Sequence, residues 1–139
     1  MSPTFAGRCA AFLAFAVFQA HAQVRTFVAS AAQDNTLYQD VSGALSNGAG
    51  EFFFVGKAGA TSIRRSVIAF DFTGLPRAAV ILDARLTLHM SRTSNALVVP
   101  VGLYRTLSNW GEGVSDATGE EGGGAAATPG DATWLHTFF

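Results

Sequence analysis

Five carboxylates, Glu112, Asp116, Glu120, Glu121 and Asp131, fall in a stretch that also holds Gly111, Gly113, Gly119, Gly122, Gly123, Gly124 and Gly130. No lysine or arginine lies between Thr106 and Thr133. Calcium takes six to eight oxygen ligands from carboxylates and backbone carbonyls, and glycine lets carbonyls converge on an ion without side-chain obstruction. The chemistry these residue types suggest is a structural calcium site. Their spacing matches no EF-hand loop, and acidic, glycine-rich segments are often only solvated and mobile, so a hydrated loop without an ion is the alternative reading.

Aromatic side chains suggest a second chemistry. Sugars present apolar CH faces that stack on rings, while charged and amide groups address the hydroxyls. Trp110, in a glycine-flanked turn, is the best platform among Trp110, Trp134, Tyr104 and Tyr38; Trp134 heads a strand and is expected in the core. Arg64, Arg85, Arg92 and Arg105 could address the carboxylates of an acidic polysaccharide, although Arg85 and Arg92 read as solvated strand-face residues. The ligand-binding set is therefore Trp110, Tyr104, Arg64 and Arg105. Catalysis has little to stand on. His89 and His136 lie in no G-x-S-x-G or H-E-x-x-H motif, and the neighbours Glu120 and Glu121 sit on a flexible tract that lacks the preorganisation of a glycosidase pair. A non-enzyme is expected, with a fragment of a polysaccharide lyase or hydrolase as the weaker alternative.

The N-terminus is read as a signal peptide over residues 1–22. Arg8 supplies a positive region, Cys9 to Phe18 an apolar run, and Ala20-His21-Ala22 a cleavage pattern before Gln23. The apolar run falls short of the roughly 20 residues of a membrane-spanning helix. Cleavage removes the single cysteine, so residues 23–139 are expected to hold together without a disulfide, in a secreted or cell-surface protein with no span of its own. The formal net charge of the whole chain is −1, which gives no global attraction for nucleic acid or an anionic membrane. Its distribution is uneven: Lys57 to Arg105 is basic, and the stretch after it is acidic.

These side chains must be positioned by strands. Ser62 to Met90 organises the chain, with alternation through Ile68, Phe70 and Phe72, a turn at Gly74-Leu75-Pro76, and a half-buried strand over Ile81 to Ser91 whose inner face is Leu82, Ala84, Leu86, Leu88 and Met90. Further strands are expected at Val24 to Ala29, Asp34 to Asp40, Glu51 to Val55, Leu97 to Leu107 (an edge or bulged strand because of Pro100) and Trp134 to Phe139. Loops are expected at Ser42 to Gly50, with Asn47-Gly48 a tight turn, at Lys57 to Thr61, at Arg92 to Asn95 and over the long segment 108–133. Seven strands separated by turn signals predict an all-β antiparallel β-sandwich of jelly-roll type. The terminal Phe138 and Phe139 lack a covering neighbour, so the sandwich is expected to be incomplete, the N-terminal part of a larger domain.

The chain resembles secreted bacterial proteins carrying a DNRLRE domain, a group related to disaggregatase repeats and to carbohydrate-binding modules. The likeness rests on Asp34 to Tyr38, the SNGAGE loop from Ser46 to Glu51, and Ser62-Ile63-Arg64-Arg65 through Phe70-Asp71. It extends to Leu75-Pro76 with Ala84 to Leu88, to Asn109 to Gly113, and to Pro129 to Trp134, covering most of residues 25–139. The resemblance implies a non-catalytic jelly-roll module outside the cell, often attached to enzymes or anchors. The expected function is binding, of polysaccharide in the first instance; the alternative is a structural or matrix module without a specific small ligand.

Overall fold

The structure is a computed structural model, described over residues 23–59, 62–93 and 98–139. Residues 1–22, where a signal peptide with Cys9 is expected, lie outside the described residues, as do the ends of two expected turns and Leu97. Among the described residues there is no helix, and none that could cross a membrane. The fold is all-β and antiparallel. Its main sheet has the order β1-β4-β3, from β1 (Ala31–Tyr38), β3 (Gly56–Ala58) and β4 (Ser62–Phe70); a second, two-residue pair joins β2 (Leu45–Ser46) to β5 (Ala125–Ala126).

Strand β4 is central for a reason legible in its composition. Ile63, Val67 and Ile68 are β-branched, and such side chains fit the pleated surface of a paired strand. It pairs with β1 from Gln33↔Ala69 to Tyr38↔Arg64, with an irregularity between Ala31 and Gln33, and with β3 from Gly56↔Arg64 to Ala58↔Ser62. Residues directly opposite share a face, so Tyr38, Thr36, Arg64 and Ser66 lie on one side of the sheet and Leu37, Asn35, Arg65 and Val67 on the other.

Both sides are covered by irregular chain. On the first, Thr36 Oγ1 accepts the Phe54 N–H at 3.0 Å and the Ser66 hydroxyl donates to the Phe54 carbonyl at 2.9 Å. On the second, Asn35 donates to the Glu112 carbonyl at 2.7 Å and Leu37 and Val67 lie beside Trp110 and Thr133 to Thr137, while Glu121 to Gly124 lie on the first side against Tyr38 and Arg64. The buried interior is consequently polar: Asn35, Thr36, Ser46, Asn47, Ser115, Glu121, Asp131 and Thr133, alongside Tyr38, Ala117 and Ala132.

Several expected strands do not form. Val24 to Ala29 forms no strand, and the strand expected to start at Asp34 starts at Ala31. Glu51 to Val55 makes side-chain and loop hydrogen bonds instead of a ladder, with Phe53 and Phe54 half-buried. Most consequentially, Ile81 to Ser91 and the described part of Leu97 to Leu107 run exposed and without ladder partners; Leu82 is 74% and Leu88 53% exposed. Their alternation is present, but a strand forms only where another strand supplies hydrogen bonds and a covering face. Trp134 to Phe139 folds back on the chain before it, with Thr133 N–H donating to His136 O and Phe139 N–H to Asp131 O, each at 2.8 Å. The turn after β4 does form, with Leu75 N–H bonded to Phe72 O at 2.9 Å.

Candidate functional site

The glycine-rich acidic segment is not a free loop. Glu121 is buried, and its carboxylate accepts from Asn47 Nδ2, Glu51 N–H and Phe52 N–H, each at 3.0 Å. Its own carbonyl accepts the Tyr38 hydroxyl at 2.9 Å. Burial raises the Glu121 carboxyl, but the three donors act against it, and the balance lies below the ordinary 4.5. Glu121 adopts φ 56°, a left-handed backbone conformation uncommon outside glycine. Burial, opposed by the Thr36 side chain and the Arg64 charge, pushes the Tyr38 phenol up to about 12.

Asn47 completes the junction. Its amide nitrogen donates to Phe52 O at 3.1 Å as well as to Glu121, and its amide oxygen accepts the Ala117 N–H at 2.9 Å. Asn35 does the same work one layer further in: its nitrogen donates to Glu112 O at 2.7 Å, and its oxygen accepts the Asn47 N–H at 3.2 Å. The Ser46 hydroxyl lies 3.0 Å from that oxygen and 2.9 Å from Ala132 O, one hydrogen serving both. Asp131 accepts the Ser115 N–H at 3.3 Å, the Thr128 N–H at 2.5 Å and the Thr128 hydroxyl at 3.1 Å. Such a satisfied network is what allows polar groups to be buried at all.

The five acids are thus dispersed. Glu112 accepts the Asp34 N–H at 3.0 Å, Asp116 is exposed, and exposed Glu120 pairs with Arg92. Among the described residues no three His, Cys, Asp or Glu side chains gather where they could hold a metal ion. The chain bends at Gly48 to Gly50, beside the turn expected at Asn47-Gly48, but in the interior, where a Cβ on Gly48 would stand 1.6 Å from Glu112 O.

Outside this network lies a solvent-open groove of about 300 Å³. Trp110 and Trp134 both line it, together with Leu37 and Val67 from the sheet and Thr133 and His136 from the C-terminal turn. Trp134, expected in the core, is half-buried and presents a face. The Arg65 guanidinium lies 4.8 Å from the centre of its ring. The turn is fixed by Thr133 Oγ1, which accepts the His136 N–H at 3.1 Å and lies 3.0 Å from His136 Nδ1. Gly111 links the two walls, donating to Thr137 O at 2.9 Å and accepting from Ala132 N–H at 2.7 Å.

Of the ligand-binding set, only Trp110 reaches this groove. Tyr104 is 87% exposed on the unpaired stretch, Arg105 is exposed beside it, and Arg64 is on the other side of the sheet. Sequence reasoning passed over Arg65, whose signal was its place one residue after Arg64 on a strand, hence on the opposite face. Set beside known proteins, the chain matches no family model, no curated protein and no solved structure.

Proposed function

We propose that the chain is a non-catalytic, secreted or cell-surface module that binds polysaccharide in the Trp110/Trp134 groove, with a preference for acidic chains. The observation that carries this reading is the meeting of two half-buried indoles, 24 positions apart in sequence, in one groove with a guanidinium over one of them. Indole faces suit the CH surface of a pyranose, and an arginine stacked on a ring keeps its N–H edges free for a carboxylate. The likeness to DNRLRE-type proteins supports the same reading, as does the leader-like N-terminus. The jelly-roll sandwich belongs to the proposal too: the alternating stretches 80–91 and 98–105 have the pattern its further strands need.

A glycan array tests it, with retention on uronate-containing polysaccharides expected. Trp110→Ala and Trp134→Ala should each weaken binding about fivefold, the worth of roughly 1 kcal/mol of ring contact. Arg65→Ala should erase the preference for acidic over neutral chains while Arg65→Lys keeps part of it. A blank array, or binding indifferent to both tryptophans, would remove the groove from consideration. A structural or matrix role is the second reading, favoured by the exposed apolar side chains Ile81, Leu82, Leu88 and Met90.

A further inference from the structure

On the face of the sheet away from the groove, Arg64 extends between two rings, 5.8 Å from the centre of Tyr38 and 5.7 Å from that of Phe54. Its Nε is buried and makes no hydrogen bond, the one such side-chain atom among the described residues. Two ion pairs are formed among those residues, Arg85 with Asp83 and Arg92 with Glu120, and neither involves Arg64. The nearest acid along the tri-glycine turn, Glu121, directs its carboxylate to Asn47, Glu51 and Phe52. The terminal nitrogens of Arg64 stand against Gly122: a Cβ there would lie 3.9 Å from Nη1 and from Nη2.

A guanidinium clamped by two rings has lost much of its rotational freedom and part of its water, yet keeps its full charge. The paired terminal N–H groups match the two oxygens of a carboxylate, which they bind bidentately at little further entropic cost. We propose that Arg64, beside the Tyr38 and Phe54 rings and with its terminal nitrogens at Gly122, is a binding site for the carboxylate of an acidic sugar, separate from the tryptophan groove. It is independent of that groove: Arg64 and Arg65 are consecutive and point to opposite faces.

The test is a titration of the full chain with sodium glucuronate, followed through the backbone amide signals of Gly122, Gly123 and Gly124. Saturable shifts are expected with glucuronate and none with glucose. Arg64→Lys, which keeps the charge but not the fork, should weaken binding about tenfold. Gly122→Glu, which offers the guanidinium a carboxylate of the protein's own, should abolish the response without touching Arg64. Trp110→Ala should leave it intact, which separates failure here from failure of the groove. Shifts equal with glucose, or undiminished in both Arg64→Lys and Gly122→Glu, would overturn the site; sulfate binding as tightly as glucuronate would overturn its assignment to carboxylates.

Discussion

Glu121 is the side chain on which most of the interior depends. Replacing it by alanine leaves the Asn47 amide and the Glu51 and Phe52 N–H groups without an acceptor, and hydrogen bonds to a charged group contribute about 1.5–3 kcal/mol. Glu121→Ala is expected to lower unfolding free energy by about 3 kcal/mol, measured by urea denaturation, with Glu121→Gln intermediate because it retains one oxygen. The pH dependence follows from the lowered carboxyl. A group whose folded value lies below its unfolded value stabilises the fold fully above the unfolded value, near 4.5 here, and loses that contribution as pH falls through the folded value. Stability should therefore fall from about pH 4.5 downward. Asp40, held low by the Ser42 hydroxyl and the Ala44 N–H, and Asp71, held low by Thr73, act in the same direction. Asp34 acts oppositely, since burial and then Glu112 raise it. Glu121→Gln should accordingly flatten the acid limb without removing it. Asn47→Asp puts a second carboxylate against the first, so it should destabilise at pH 7 and recover part of the loss on acidification.

The elements divide into those held by partners and those left without one. Strand β4 lies between two neighbours, so its amides should resist hydrogen exchange, whereas amides over 80–93 and 98–105 should exchange quickly. Gly113, at φ 73°, would place a Cβ 1.5 Å from Asp131 Oδ1, while Gly119, at φ 67°, has open space around it. Gly113→Ala is expected to cost several times the roughly 1 kcal/mol that strain alone costs at Gly119→Ala, read as a difference in melting temperature. How far the sequence revealed these elements follows from the physics of each. The β-branched run of β4 and the Gly74-Leu75-Pro76 turn are local signals and were legible. The alternation from Ile81 to Met90 was equally clear, yet periodicity describes a segment's own faces and says nothing of which strand pairs with it. The polar interior was hidden for a different cause: Asn35, Asn47 and Glu121 look like turn and loop residues until segments about 70 positions apart or more supply their partners. Trp110 stood out in the sequence by its place before Gly111, whereas its half-buried position beside Trp134 did not. Trp134 was not legible as a groove residue, since its strand pattern could not disclose that the chain would reverse at Leu135.

Across the molecule, the proposed binding groove and the exposed apolar stretch 81–90 are different surfaces. The acidic segment is structural, its buried carboxylates already saturated by the protein's own N–H groups, so calcium is expected to leave the melting temperature unchanged; a rise would return the segment to metal chemistry. The exposed Leu82, Leu86, Leu88 and Met90 lie on a stretch without strand partners, and an alternating apolar stretch left unpaired is a site for association. Sedimentation should show concentration-dependent association that Leu86→Lys and Leu88→Lys together suppress, while the tryptophan groove keeps its affinity. The groove itself is the centre of the account, and the indole N–H signals of Trp110 and Trp134 report on it without intermediaries. In a titration with a soluble polyuronate both signals should move together along one saturation curve. If neither moves, or if only one does while binding proceeds, the two rings do not form a common sugar platform.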